Sequence, residues 1–236
     1  MKTAQLDALL AARTAKQPVT LVTQLSTGTQ ALVRDGAVDG ALPLDQVLEA
    51  AVHKAQTDDR SLTIESGGER YFVQVFSPPR RLIAVGAVHI AQTLVPMASL
   101  AGYAVTVIDP RGAFATDLRF PGVTLLEEWP DDALKELAPD RRTAVVTLTH
   151  DPKLDDPALD VALRSDAFYI GALGSRRTHA RRLERLKERG FNERDFARIH
   201  GPIGLNIGAV SPAEIAVSIL AEITQTLHRP AADKAA

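Results

Sequence analysis

The feature that most constrains this chain is a short β-rich run, Arg81-Leu82-Ile83-Ala84-Val85, that ends on Gly86 and passes into a helical pattern from about His89. The next β-branched run, Ala104–Ile108, ends on Asp109, 23 residues after Gly86. In a βαβ unit of this kind the glycine makes the tight turn, the helix start faces a phosphate, and the acidic residue accepts from ribose hydroxyls. Further runs at Val123–Leu125, Ala144–Leu148 and Ala167–Ile170 are almost continuously apolar and are separated by helical stretches. That pattern belongs to parallel strands buried on both faces. The expected fold is therefore α/β, a Rossmann-like doubly wound, mainly parallel sheet over residues 81–228.

One position departs from the dinucleotide pattern. The second glycine of G-x-G-x-x-G/A, which lets the backbone approach a diphosphate, is replaced by Val88. A β-branched side chain there crowds a diphosphate laid over the turn. Pro96 sits inside the first helical pattern and is expected to kink it or start a new turn. The last helix is marked by Ser211-Pro212-Ala213-Glu214, a capping box with proline at its first position, followed by the stripe Ile215, Ile219, Leu220, Ile223 and Leu227.

Two prolines at Pro78-Pro79 interrupt any sheet, so a linker is placed at 78–80 and a separate small α+β domain at 1–77. In that domain Leu6, Leu9 and Leu10 share a helical face. Val19–Leu25 and Gln30–Arg34 read as strands, and Leu44–Val52 as a helix with Asp45 at its positive end. The runs Ser61–Glu65 and Tyr71–Phe76, split by Gly67-Gly68, read as a hairpin. Residues 229–236 read as a flexible tail.

Polar and glycine-rich clusters fall at the ends of the strands, where open α/β sheets bind ligands. Asp109-Pro110-Arg111 offers an acid beside a guanidinium, suited to a ribose or a phosphate. Thr149-His150-Asp151 follows a buried strand, and His150 suits acid–base or ligand contact, while Asp155 or Asp156 is expected to cap the next helix. Gly171-Ala172-Leu173-Gly174-Ser175-Arg176-Arg177 combines backbone donors at a helix start with a hydroxyl and two guanidiniums, a strong anion site. From Arg176 to Arg189 there are seven Lys/Arg against two Glu, and the later arginines read as a solvated basic face. His200-Gly201-Pro202-Ile203-Gly204-Leu205-Asn206-Ile207-Gly208 implies a backbone held close to the sheet edge or to a ligand. Gly86, His89, Asp109, Arg111, His150, Gly174, Ser175, Arg176, Arg177 and Asn206 are the expected ligand-binding residues. No nucleophile–base–orienter set and no metal-ligand set emerges.

A net charge of −2 gives no electrostatic case for nucleic acid or an anionic membrane, and no apolar run reaches the length of a membrane span. The chain has no cysteine, which excludes disulfides, thiolate metal sites and cysteine nucleophiles. With no apolar run of a signal peptide in MKTAQLDALLAARTAKQ, a cytoplasmic protein is expected.

Three blocks, THDPKLDDPAL (149–159), YIGALGSRRTHARR (169–182) and GPIGLNIGAVSPAEIAVSILAEI (201–223), resemble the signature blocks of the XdhC/CoxI family of xanthine dehydrogenase accessory proteins. Gly86–Ala91, Asp109-Pro110-Arg111 and Arg119-Phe120-Pro121 are similar to the same family's Rossmann domain, in the same order. The resemblance covers about residues 81–228. It implies a maturation factor that binds molybdenum cofactor (molybdopterin, a phosphorylated pterin) as cargo. Such a factor assists the cofactor's sulfuration or delivery to a xanthine dehydrogenase-type molybdenum hydroxylase. It further implies a homodimer, and a cysteine desulfurase as an additional partner. The family's Gly-Ser-x-Pro-Arg and Gly-Gly-Cys motifs are absent, so residues 1–77 are a diverged or different domain. The alternative readings are an NAD(P)-dependent oxidoreductase with His150 as its acid–base residue, and a non-catalytic partner domain that binds a molybdenum hydroxylase and no small molecule.

Overall fold

The computed structural model describes residues 3–228, so the expected tail at 229–236 lies outside the described residues. The chain divides into two compact units between Pro79 and Arg80. The carbonyl of Arg80 accepts from Ala104 N–H at 2.7 Å, so Arg80 already takes part in the second unit's sheet.

The first unit holds α1 (Thr3–Thr14), β1 (Val19–Gln24), β2 (Gln30–Arg34), β3 (Ala37–Gly40), α2 (Gln46–Asp58), β4 (Leu62–Ser66) and β5 (Glu69–Phe76). The strands form an antiparallel sheet in the order β3-β2-β1-β5-β4. Alternation along β1 divides the core. Val19 and Leu21 pack with Leu9 and Ala12 of α1, while Val22 packs with Leu48, Val52 and Ala55 of α2. Asp45 is the N-cap of α2, accepting from Leu48 N–H at 2.8 Å. The α1 face is narrower than its leucine spacing implies. Leu9 is buried, but Leu6 and Leu10 are exposed, and Gln5 takes the place of an apolar contact. Strand β3, four exposed residues at the sheet edge, carries no apolar alternation that would announce it.

The second unit runs β6 (Arg81–Val85), α3 (His89–Leu100), β7 (Ala104–Ile108), β8 (Thr124–Leu126), α4 (Pro130–Leu137), β9 (Thr143–Thr147), α5 (Pro152–Arg164), β10 (Tyr169–Ala172), α6 (Arg176–Glu188), α7 (Glu193–Phe196), β11 (Ile199–His200) and α8 (Pro212–His228). All paired strands are parallel, in the order β8-β7-β6-β9-β10-β11. This is the doubly wound order of a dinucleotide-binding sheet, with the switch point between β6 and β9. Side-chain alternation sorts the two layers. Leu82, Ala84, Val105 and Val107 meet α3 and α8, and Ile83, Val85, Ile108 and Val145 meet α4 and α5. The capping box at α8 forms as expected, Glu214 N–H donating to Ser211 Oγ and Ser211 N–H to Glu214 Oε2. Helix α3 continues through Pro96 without a break.

Gly86 shows why this turn admits only glycine. Its φ is +109°, its N–H donates to Ile108 O at 2.8 Å, and a Cβ would stand 2.5 Å from Thr149 Cγ2. The turn after β6 and the loop after β9 therefore touch across the switch point. Gly102 has a similar φ of +88° but open space around it. Substituting alanine at Gly86 should cost on the order of 1–3 kcal/mol of backbone strain plus the steric cost, whereas Gly102→Ala should cost the strain alone. Urea unfolding followed by the fluorescence of the single tryptophan, Trp129 in this unit, measures the difference. Equal losses in the two variants would refute the close contact.

Candidate functional site

The turn Gly86-Ala87-Val88 is fastened from behind by Asp109. That carboxylate is fully buried and accepts from Ala87 N–H (2.8 Å), Arg111 N–H (3.0 Å), Arg111 Nε (2.8 Å) and Arg111 Nη2 (2.7 Å). Burial pushes the carboxyl up, but the Arg111 guanidinium and the two backbone donors outweigh it and hold Asp109 below the ordinary aspartate value. The sequence places Asp109 as a ribose acceptor. The structure instead uses both its oxygens inside the fold, along with the Ala87 N–H of the glycine loop. Arg111 is drawn onto Asp109 and lies over the Phe114 ring at 4.7 Å. Val88 packs half-buried against the apolar layer, and His89 is exposed in the first turn of α3.

The loop after β9 is built around Asp155. Asp151, not Asp155 or Asp156, is the N-cap of α5, accepting from Lys153 N–H at 2.9 Å. Asp155 and Asp156 fall inside the helix and are buried, because the helix begins at Pro152, earlier than the acidic pair implies. Asp155 Oδ1 accepts from Thr149 Oγ1 at 2.6 Å and Oδ2 from His150 N–H at 3.1 Å. These bonds hold His150 in the left-handed region, φ +65°, with its side chain exposed. Burial pushes the Asp155 carboxyl up, and its bonds to Thr149 and the charge of Arg182 only partly oppose that.

Strand β10 extends to Ala172, so Gly171 belongs to the sheet, where a Cβ would strike Ile203. The turn into α6 is therefore Leu173-Gly174-Ser175, with Gly174 at φ +143°. Ser175 is the N-cap, accepting from Thr178 N–H at 3.1 Å. Of the later arginines of α6, Arg181 is solvated as expected, but Arg182 and Arg185 are turned inward. Arg182 is 2% exposed, donates Nη2 to Leu173 O at 2.8 Å and stands 3.7 Å from Asp155 Oδ2. Arg185 forms a two-pronged pair with Asp156. Arg182 lies one turn before the buried Leu186, and Asp155-Asp156 adjoins Leu154 and Ala158; those neighbours were the signal that these charges face inward.

A cavity of about 420 Å³ opens between the β9 loop, the start of α5 and the outer turns of α6. His150 and Arg177, both expected from the sequence, line it together with Pro152, Asp155, Thr178, Arg181, Arg182 and Arg185. Gly174, Ser175 and Arg176 form the turn that leads into α6 but are not part of the wall. Gly86 reaches the neighbourhood through Thr149, and Arg111 lies within electrostatic reach of Asp151 and Asp155. His89 and the exposed Asn206, in the segment between β11 and α8, do not line the cavity. Chemically the wall offers concentrated positive charge. The nearest hydroxyl on the Gly174 turn, Ser175 Oγ, is paired with Thr178 Oγ1. Among the described residues no group of three or more His, Asp or Glu is placed to hold a metal, and no helix is long and apolar enough to cross a membrane.

Residues 82–223 match the model of the XdhC Rossmann domain. The uncharacterised protein YqeB of Escherichia coli is 35% identical over 163 residues, 67% of this chain and 29% of that protein. A Bacillus subtilis protein named as a probable component of xanthine dehydrogenase is 37% identical over 164 residues, 68% of this chain and 47% of that one. The molybdenum cofactor insertion chaperone PaoD of Escherichia coli is 40% identical over 91 residues, 38% of this chain and 29% of that one. The chain thus spans less than half the length of these curated relatives. A crystal structure of a xanthine dehydrogenase from Bacillus halodurans superposes with a TM-score of 0.77 at 27% identity, covering 97% of this chain and 66% of that one. That coverage takes in the first unit as well as the second.

Because Asp109 titrates below its ordinary value of 3.8 in the folded chain, its stabilising contribution is complete above that pH and is lost as pH falls through the lowered value. Asp109→Asn should therefore destabilise the second unit at pH 7 and lessen its further loss of stability on acidification to pH 3. Urea midpoints followed by Trp129 fluorescence at the two pH values check this, and parallel acid losses in variant and parent would refute it.

Proposed function

This chain belongs to the XdhC family, and from that premise we propose that it is a non-catalytic carrier that holds molybdenum cofactor and assists its insertion into a xanthine dehydrogenase-type molybdenum hydroxylase. The observation that carries the reading is the arginine-walled cavity at the carboxyl ends of β9 and β10. Such a site is suited to binding and orienting an anionic ligand. Molybdopterin is a phosphorylated pterin, so guanidiniums suit its anionic end. The name of PaoD, an insertion chaperone, supports the same role.

The chain has no cysteine to carry a persulfide, so sulfuration of the cargo is the work of a partner such as a cysteine desulfurase. A homodimer acting in the cytoplasm belongs to the same reading. The oxidoreductase alternative keeps the strand order in its favour but loses two contacts it needs. Ala87 N–H and the Asp109 carboxylate, which a dinucleotide would engage, are bonded to each other.

The test is capture and transfer. Protein purified from a host that makes molybdenum cofactor should carry a pterin species by native mass spectrometry and should raise the activity of a cofactor-free xanthine dehydrogenase-type hydroxylase severalfold. Repeatedly clean apoprotein that neither exchanges with free cofactor nor activates the hydroxylase would overturn the proposal. Tight NAD binding with hydride transfer would replace it with the oxidoreductase.

A further inference from the structure

The floor of the cavity is an arginine whose bonding is incomplete. Arg182 is 2% exposed, yet its Nε and Nη1 have no hydrogen-bond partner among the described residues, and only Nη2 is used, on Leu173 O. A buried donor left unsatisfied is costly, and more so when charged. Burial accordingly pulls the Arg182 pKa down, against the opposing pull of Asp155 and Asp156. A fold tolerates such a group where a ligand supplies the missing acceptor.

The charges around it are not balanced. Asp156 answers Arg185, and Asp155 faces Arg182. Arg177 and Arg181 line the cavity with no carboxylate partner among the described residues, a formal excess of two positive charges. Two helix starts add to this. Pro152 is the first residue of α5 and Arg177 the second of α6, both 13-residue helices, and both residues line the cavity. The first turns of both helices thus border the same cavity.

We propose that this cavity is a site for a phosphate monoester dianion, held by Arg182 from below and by Arg177 and Arg181 from the rim, and that it discriminates against phosphate diesters. A monoester carries close to two negative charges at neutral pH and three terminal oxygens, which matches the excess and the unused donors. A diester carries one charge per phosphate and cannot turn three free oxygens to the floor. The place where a diphosphate diester lies in a dinucleotide fold is already filled, by the bond from Ala87 N–H to Asp109 and by the Val88 side chain. Assigning the monoester to the pterin cargo rests on the functional reading above. On that reading the chain takes the monophosphate form of the cofactor and rejects its dinucleotide form.

Isothermal titration calorimetry of the whole chain, at fixed ionic strength, with methyl phosphate, inorganic phosphate, dimethyl phosphate and NAD tests the site. Methyl phosphate should bind about tenfold more tightly than dimethyl phosphate or NAD. Arg182→Met should weaken it about tenfold, and Arg177→Gln and Arg181→Gln a few-fold each. The two rim residues are exposed, so their variants remain informative if Arg182→Met fails to fold. Arg34→Gln, on the first unit, should change nothing. Equal binding of monoester and diester, or monoester binding unaffected by Arg177→Gln and Arg181→Gln, overturns the site. Methyl phosphate should also displace cofactor from loaded protein. Binding without displacement keeps the monoester site and overturns its assignment to the cargo. Monoester binding in a protein that never captures cofactor leaves the site standing and removes only the functional reading.

Discussion

The carboxylate of Asp155 is the interaction on which the site's architecture depends. It lies inside α5, yet it accepts from the Thr149 hydroxyl and the His150 N–H of the preceding loop and faces Arg182 of the following helix. One buried anion thereby ties together three things: the loop that leaves β9, His150 in its left-handed conformation, and Arg182 of α6. Removing a buried partner of this kind exposes the remaining charge to an apolar surround, which is why such pairs are costly to break even when their net contribution to stability is small. The cavity wall is a by-product of satisfying that one group.

Asp109 plays the corresponding part on the other side of the switch point. In a dinucleotide-binding fold the equivalent acid waits for a ligand. Here it has four donors of its own, three of them from Arg111. The glycine loop is fastened from within, and on the proposed reading the ligand site is the space between the β9 loop and α6 rather than the β6 turn.

The sheet was legible because its physics is local. Buried parallel strands need continuous apolar runs, and Gly86 needs a residue without a Cβ; both are written in adjacent residues. Strands β3 and β11 were not legible, since four exposed residues and two residues make no pattern. In the site, His150 and Arg177 could be found as polar residues at strand ends. Arg182 and Asp155 could not be found this way, because burial of a charge is decided by a partner far away in the chain. A basic helix read in isolation looks solvated. Only the pairing of Asp155-Asp156 with Arg182 and Arg185 shows that one of its faces is turned inward.

A carrier differs from an enzyme in what it must do last, which is let go. The aspartate beside Arg182 has a bearing on that requirement. Without Asp155 the floor would present an undiluted cation to any bound anion, and the grip would approach that of a trap. With it, an anion held by Arg182 would also feel the carboxylate that stands 3.7 Å from that guanidinium, which limits its affinity from inside the protein. That cap is built from a group the fold already needs for its loop. In the proposed carrier, holding weak enough to permit a handover would then come from the resting structure, without a moving lid to open.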